Sequence, residues 1–547
     1  MNGHTYTEMT QQGQMDAVAQ SLAKAEVCSL TTAVNIRFHP KHPVVTPQLP
    51  RDLVSCLVVL LLSLTTLFTF SATSVHPPQP DAPAPVAAPA PARPNVLFIA
   101  IDDLRNDLGI LGVAHARTPH LDAFAQSARV FSHHFVQVPT CGASRAVLWR
   151  GRYPTVPADL GNHAIRDRHL QWEHPSLPAL FRRNGYQTLA IGKLTHFPGG
   201  LTGSQWAQGP EELPDAWDRA WVPDGPWTSP QAMMHGYALG QARTPGVSPP
   251  WEAHDGPDDA YPDAWVAREA IQTLDHLAKQ REPWFLGVGF FKPHLPFAAP
   301  RKWHDLHSEG IPDLTPEAAA KPDWPSGWHA SGEFRSNYGH PQGKDPYPDA
   351  DDARLLRRAY AASVSYMDAQ VGRLLGALTD LGMAQRTVVV VWSDHGFLLG
   401  EHAIWGKHCL YEHALRSPLI VRIPHLPHPG QTSQALVETV DIYPTLADLC
   451  GLPVPPQLDG RSLRPQLMDP TSPGSKPALG FWTQGQRTLR TDPWRLIFQL
   501  DRQGNPTRHE LFDLSLDPGE TRNLAGEQPE VVALLHQQWE QRMPRSR

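Results

Sequence analysis

A chain of 547 residues with a formal net charge of −7 and no basic run is a poor match to nucleic acid, whose binding rests on clustered Lys and Arg. The length would hold about three or four average domains, or one large α/β core with a small appendage. Five cysteines, two of them (Cys28 and Cys56) in the N-terminal leader, exclude a disulfide framework, and at most Cys409 pairs with Cys450.

Residues 1–50 are polar and carry no sustained periodicity. Residues 53–70 form an apolar run behind Lys41 and Arg51, with small residues at Ala72-Thr73-Ser74 where a signal would be cleaved. Fifty preceding residues are unusual for a signal peptide. Either translation starts downstream of Met1, or the run is an uncleaved anchor near the minimum length that spans a bilayer. Residues 77–94 are Pro/Ala-rich and predict an extended linker. The leader over 1–93 therefore predicts an exported protein, periplasmic or secreted, with anchoring through 53–70 left open.

Beyond the linker, short apolar runs alternate with helical patterns. The runs are 96–101 (VLFIAI), 188–191 (TLAI), 284–291 (WFLGVGFF) and 388–392 (VVVVW). Helical periodicity falls at 118–130, 176–184, 264–279 and 352–381. Runs that are apolar on both faces predict strands buried between helix layers, hence an α/β fold with a largely parallel sheet.

Each predicted strand ends in ionisable residues: Asp102-Asp103, Lys193 with His196, Lys292 with His294, and Asp394-His395. The carboxyl edge of such a sheet is where ligands bind. One charged strand end would be a solvated turn; four together predict a site. Asp102, Asp103 and Asp394 offer hard oxygen ligands suited to calcium or magnesium. Arg145, Lys193 and Lys407 could hold a tetrahedral anion, and His196 and His294 could move protons. Loops rich in Trp206, Trp217, Trp221, Trp227, Trp251, Trp324 and Trp328 are expected to shape specificity.

Cys141-Gly142-Ala143-Ser144-Arg145, followed by Gly151-Arg152-Tyr153-Pro154, resembles the Cys-x-Pro-x-Arg formylglycine motif of type I sulfatases. With the strand-end clusters, Trp405-Gly406-Lys407, Val440 to Leu446 and Glu510 to Leu514, the chain is similar to the iduronate-2-sulfatase-like group from about Pro94 to Asn523. The resemblance implies an alkaline-phosphatase-like core over 94–474 and a smaller α+β subdomain over 475–547. It implies that Asp102, Asp103, Asp394 and His395 bind one calcium together with Cys141, itself converted to formylglycine by a formylglycine-generating enzyme. It also implies that Arg145 polarises the aldehyde hydrate, Lys193 and Lys407 bind sulfate, His294 protonates the leaving oxygen, and His196 takes the hydrate's second proton. The expected substrate is a sulfated sugar. Ala143 and Arg150 replace the family's usual Pro and Thr, which keeps a non-catalytic carbohydrate-binding descendant in play. A phosphodiesterase or phosphonate hydrolase of the same superfamily is the other alternative.

Overall fold

The computed structural model describes residues 93–206, 211–324, 332–339, 350–474 and 476–543, all within one compact unit, Pro89–Arg547. The apolar run at 53–70 lies outside the described residues. Among the described residues no helix is long and apolar enough to cross a membrane.

Eight strands form the central sheet: β1 (Asn95–Ile101), β2 (Arg129–Phe135), β3 (Gln187–Gly192), β4 (Arg219–Trp221), β5 (Trp284–Phe290), β6 (Thr387–Ser393), β7 (Leu419–Arg422) and β8 (Thr432–Glu438). Their order is β8-β2-β7-β6-β1-β5-β3-β4. Neighbours are parallel except at β7, which runs antiparallel to both β2 and β6. Side chains of β1 alternate between the two faces, as the pleat requires. Val96, Phe98 and Ala100 join one core; Leu97, Ile99 and Ile101 join the other. The first core takes helix α1 (Cys141–Arg150) and helices Leu177–Arg183 and Ile442–Leu449. The second takes α2 (Pro262–Leu277) and α3 (Ala350–Asp380). Helices thus cover both faces of the sheet.

The sheet holds twice the strands that apolar runs predict. β2 reads RVFSHHF: its polar side chains conceal it, and its first two residues fall in the predicted helix 118–130. That helix stops at Ala125, and Arg129 begins the strand instead. Arg129 is fully buried because its guanidinium caps main-chain carbonyls of Gln466, Pro427, His428, Gln431 and Leu467. Cys409 and Cys450 are free and sit in different apolar clusters, so the candidate disulfide does not form.

A second, antiparallel sheet lies at the C-terminal end: β9 (Ala478–Phe481), β10 (Gln486–Arg490), β11 (Trp494–Leu500) and β12 (Pro506–Asp513). Helix α4 (Pro529–Arg542) closes it through Trp539, whose ring centroid lies 5.5 Å from Phe481 and 5.2 Å from Phe498.

Candidate active site

Ile101 of β1 registers with Phe290 of β5 and Ser393 of β6, and Gly192 of β3 with Gly289 of β5. All four strands are parallel, so Asp102-Asp103, Lys193, Lys292 and Asp394-His395 emerge along one carboxyl edge. Lys193 turns inward where its N–H donates to Gly289 O at 3.0 Å. A Cβ on Gly289 would stand 2.1 Å from Lys193 O, so only glycine permits this crossing.

Cys141 opens α1, with Thr140 as the residue before it. Asn162 Oδ1 accepts from Gly142 N at 3.1 Å and from Thr140 Oγ1 at 3.1 Å, fixing the first turn. A Cβ on Gly142 would lie 2.2 Å from Asn162 O, which accounts for the glycine after the cysteine. Three and four residues on, Ser144 and Arg145 point back to Asp394. Ser144 Oγ donates to Asp394 O at 2.5 Å, and Arg145 Nε donates to Asp394 Oδ2 at 2.9 Å.

One atom each of Asp102, Cys141, Asp394 and His395 lies within 4.8 Å of the other three. His395 Nε2 is 3.3 Å from Cys141 Sγ and 3.5 Å from Asp103 Oδ1. Asp103 adopts a left-handed φ of 62°, tolerable for aspartate. Its N–H donates to Asp394 Oδ1 at 3.1 Å, while Tyr360 of α3 donates to its carbonyl at 2.8 Å. The residues fit a hard cation. Asp102 Oδ1 is buried and accepts no hydrogen bond, with Arg145 Nη2 facing it only at 3.5 Å, so the oxygen keeps lone pairs free for a cation.

Three cations complete the cluster. Lys193 Nζ meets Asp102 Oδ2 at 2.5 Å, Lys407 Nζ meets Asp103 Oδ1 at 2.8 Å, and Arg145 Nη2 stands 3.5 Å from Asp102 Oδ1. Burial opposes ionisation of Asp102, but Lys193, His294 and Arg145 outweigh it and hold the carboxyl well below its usual range. Burial and then Asp102 push the Cys141 thiol well above its ordinary value, so as a plain cysteine it is a protonated, weak nucleophile. His196, half-buried with Nδ1 unpartnered, is driven well below 6.5 by burial and Lys193 and stays neutral.

The structure brings Asp102, Asp103, Cys141, Arg145, Lys193, Asp394, His395 and Lys407 into one contiguous cluster, with a ring nitrogen of His294 within 4.8 Å of atoms of Asp102, Asp103 and Cys141 and with His196 beside them. Lys292 turns away: its Nζ donates to His294 O and Pro296 O, bracing the loop that carries His294. Trp217, Trp221 and Trp227 are core residues, not specificity loops, because so much apolar area is stabilised more by burial. Trp206 and Trp251 pack against the second core and Trp324 against a cluster with Phe512; Trp328 lies outside the described residues. Asn162, Tyr360 and Glu333 are site neighbours that no strand end or motif marks.

The chain belongs to the sulfatase family: the family's model, described as "Sulfatase", matches residues 94–452, and "N-sulphoglucosamine sulphohydrolase, C-terminal" matches 400–545. Within it the chain is a type I, iduronate-2-sulfatase-like sulfuric ester hydrolase. It is 31 % identical to iduronate 2-sulfatase of Homo sapiens over 421 residues, 68 % of this chain and 72 % of that one. It is also 31 % identical to choline-sulfatase of Rhizobium meliloti (strain 1021), over 79 % of this chain and 82 % of that one. The fold matches the phosphonate monoester hydrolase of Agrobacterium radiobacter with a TM-score of 0.63, 23 % identity and coverage of 82 % and 96 %. A structure solved with its substrate D-glucosamine-2-N,6-O-disulfate matches with a TM-score of 0.59, 21 % identity and coverage of 83 % and 99 %.

Proposed function

We propose that this chain hydrolyses a sulfate ester of a carbohydrate, with Cys141 carried as formylglycine beside one calcium ion. The observation that carries the reading is the packing of Asp102, Cys141, Asp394 and His395 within 4.8 Å, ringed by Arg145, Lys193 and Lys407. A hydrated formylglycine supplies one hydroxyl to attack sulfur and a second whose deprotonation expels sulfate, and a buried, protonated thiol offers neither. Asp102, Asp103, Asp394 and His395 would hold the calcium, which suits carboxylate oxygens and would help polarise the sulfate.

The chain's own side chains do the rest. Arg145 orients the residue-141 side chain from its place one helical turn along α1. Lys193 and Lys407 bind the sulfate oxygens and offset the charge that grows on them. His294 gives its proton to the departing sugar oxygen, and the neutral His196 takes the proton from the second hydroxyl. Three buried carboxylates already face three buried cations, so a divalent cation and a sulfate arriving together leave the charge nearly balanced.

We assign the catalytic part to 94–474 and the subdomain to 475–547, and propose export through the leader. The maturation partner is a formylglycine-generating enzyme reading the stretch around Ala143 and Arg150. Mass spectrometry of the Cys141 peptide is the direct test: active enzyme should carry an aldehyde there, and full activity with an unmodified thiol would end the reading. Phosphonate or phosphodiester hydrolysis is separated by comparing rates on paired aryl sulfates and aryl phosphonates.

A further inference from the structure

Glu333 lies on the short helix Gly332–Asn337, outside every strand end that builds the site. Its Oε1 stands 3.0 Å from His294 Nε2 and 3.2 Å from Lys407 Nζ, and its Oε2 stands 3.1 Å from Lys407 Nζ. The other nitrogen of His294, Nδ1, is 2.7 Å from Leu295 O. Both ring nitrogens therefore face acceptors, and both contacts are satisfied only when each nitrogen carries hydrogen. That is the form able to give a proton away.

The helix is fastened in place. Phe334 is buried and stacks on Trp405 with centroids 5.8 Å apart, and Tyr338 is buried beneath Arg243, whose Cζ lies 5.3 Å from its ring centroid. Glu333 itself keeps 15 % of its side chain exposed.

We propose that Glu333 is a positioning residue: it aims the doubly protonated His294 at the leaving oxygen and yields Nε2 to that oxygen while keeping its contact with Lys407. The inference rests on the assignment of His294 as the leaving-group acid. In the step, a hydroxyl oxygen of the hydrated residue-141 side chain bonds to sulfur as the S–O bond to the alcohol breaks, its electron pair going to the alcohol oxygen. The Nε2–H bond breaks as an O–H bond forms on the alcohol. Water consumed in the turnover brings two protons: one replaces the proton that His294 gave to the alcohol, and the other is released with sulfate near neutral pH.

The test uses the full-length, modified enzyme and aryl sulfates whose phenols range from electron-poor to electron-rich. Turnover of the most electron-poor ester, whose phenolate departs with little help, reports that each variant is folded and modified. In Glu333→Gln, which keeps the shape, kcat should fall on the order of 10²-fold for the poorest leaving group and less than about 3-fold for the best. In a His294→Ala background, Glu333→Gln should cost nothing further on any ester. Equal losses across the series, or a rise in KM alone, would place Glu333 with Lys407 in sulfate binding and overturn the proposal. So would a further loss in the His294→Ala background. If His294→Ala itself shows equal losses on all esters, the acid assignment falls and the inference falls with it. A selective His294→Ala beside an unselective Glu333→Gln removes the inference alone.

Discussion

His294 and His196 border the same cluster but meet opposite surroundings. His294 has an acceptor at each ring nitrogen, whereas His196 has an unpartnered Nδ1 and the nearby cations Lys193 and Lys407. A ring held between acceptors donates; a neutral ring beside cations accepts. His294→Ala should therefore harm sulfates of poor alcohol leaving groups about 10²–10⁴-fold more than sulfates of acidic phenols. His196→Ala acts after the alcohol has left, so it should trap a sulfated residue-141 adduct, seen as a mass increase on that peptide. Steady-state rates on both substrate types with peptide mass spectrometry check the pair. Equal losses in the first variant and no adduct in the second would show these roles to be misassigned. At the same scale, Asp394→Asn removes one charge while keeping its shape, and calcium affinity measured by titration calorimetry should fall.

Elements, not single residues, hold this geometry, and α3 is the clearest case. Tyr360, buried on α3, donates to Asp103 O at 2.8 Å and accepts from Arg105 N at 3.0 Å. It thereby pins the left-handed turn that presents the Asp103 carboxylate. Tyr360→Phe leaves a buried carbonyl and a buried N–H unsatisfied, which should cost about 2–4 kcal/mol in urea denaturation and weaken calcium binding. An unchanged midpoint with unchanged calcium affinity would show that the turn holds itself. This support was invisible in sequence, because a tyrosine on an amphipathic helix looks like any core residue. Strand ends were legible because β1, β3, β5 and β6 are apolar on both faces and stop abruptly at charge. β2, β7 and β8 were not, since RVFSHHF is polar, LIVR is short, and TSQALVE buries only alternate positions near its start. The contacts of Glu333 were equally hidden: a carboxylate 39 residues from His294 and 74 from Lys407 leaves no local pattern.

Across the whole molecule, the central sheet's core and the C-terminal sheet are joined by a buried ionic cluster. Arg495 of β11 is fully buried between Glu412 of the core and Glu520. Arg490 of β10 also reaches Glu412, at 3.4 Å, and Glu520 accepts from Glu412 N at 2.7 Å. Two carboxyl groups thus compete for one guanidinium, and they separate. Burial disfavours the charge on Glu412, but Arg495 and Arg490 outweigh it and bring the carboxyl down to about 2. Burial, with the negative Glu412 nearby, pushes Glu520 up to about 8 despite Arg495. Unfolded, both titrate near 4.5. Glu412 therefore adds stability that is complete above pH 4.5 and lost as pH falls toward 2. Glu520 works in the opposite sense, adding stability that is complete below 4.5 and lost as pH rises through 8. Each slope is at most about 1.4 kcal/mol per pH unit. The contribution of Glu520 to the urea midpoint should consequently decline from pH 5 to pH 8, read as the difference in slope between the native protein and Glu520→Gln, which is fixed in the neutral form. Glu412→Gln should flatten the acid limb but lower stability at every pH, by about 3–5 kcal/mol above pH 5, because Arg495 loses its ionised partner. A Glu520→Gln protein with an unaltered slope between pH 5 and 8 would mean that Glu520 is ionised in the fold and that Arg495 is shared evenly between the two carboxylates.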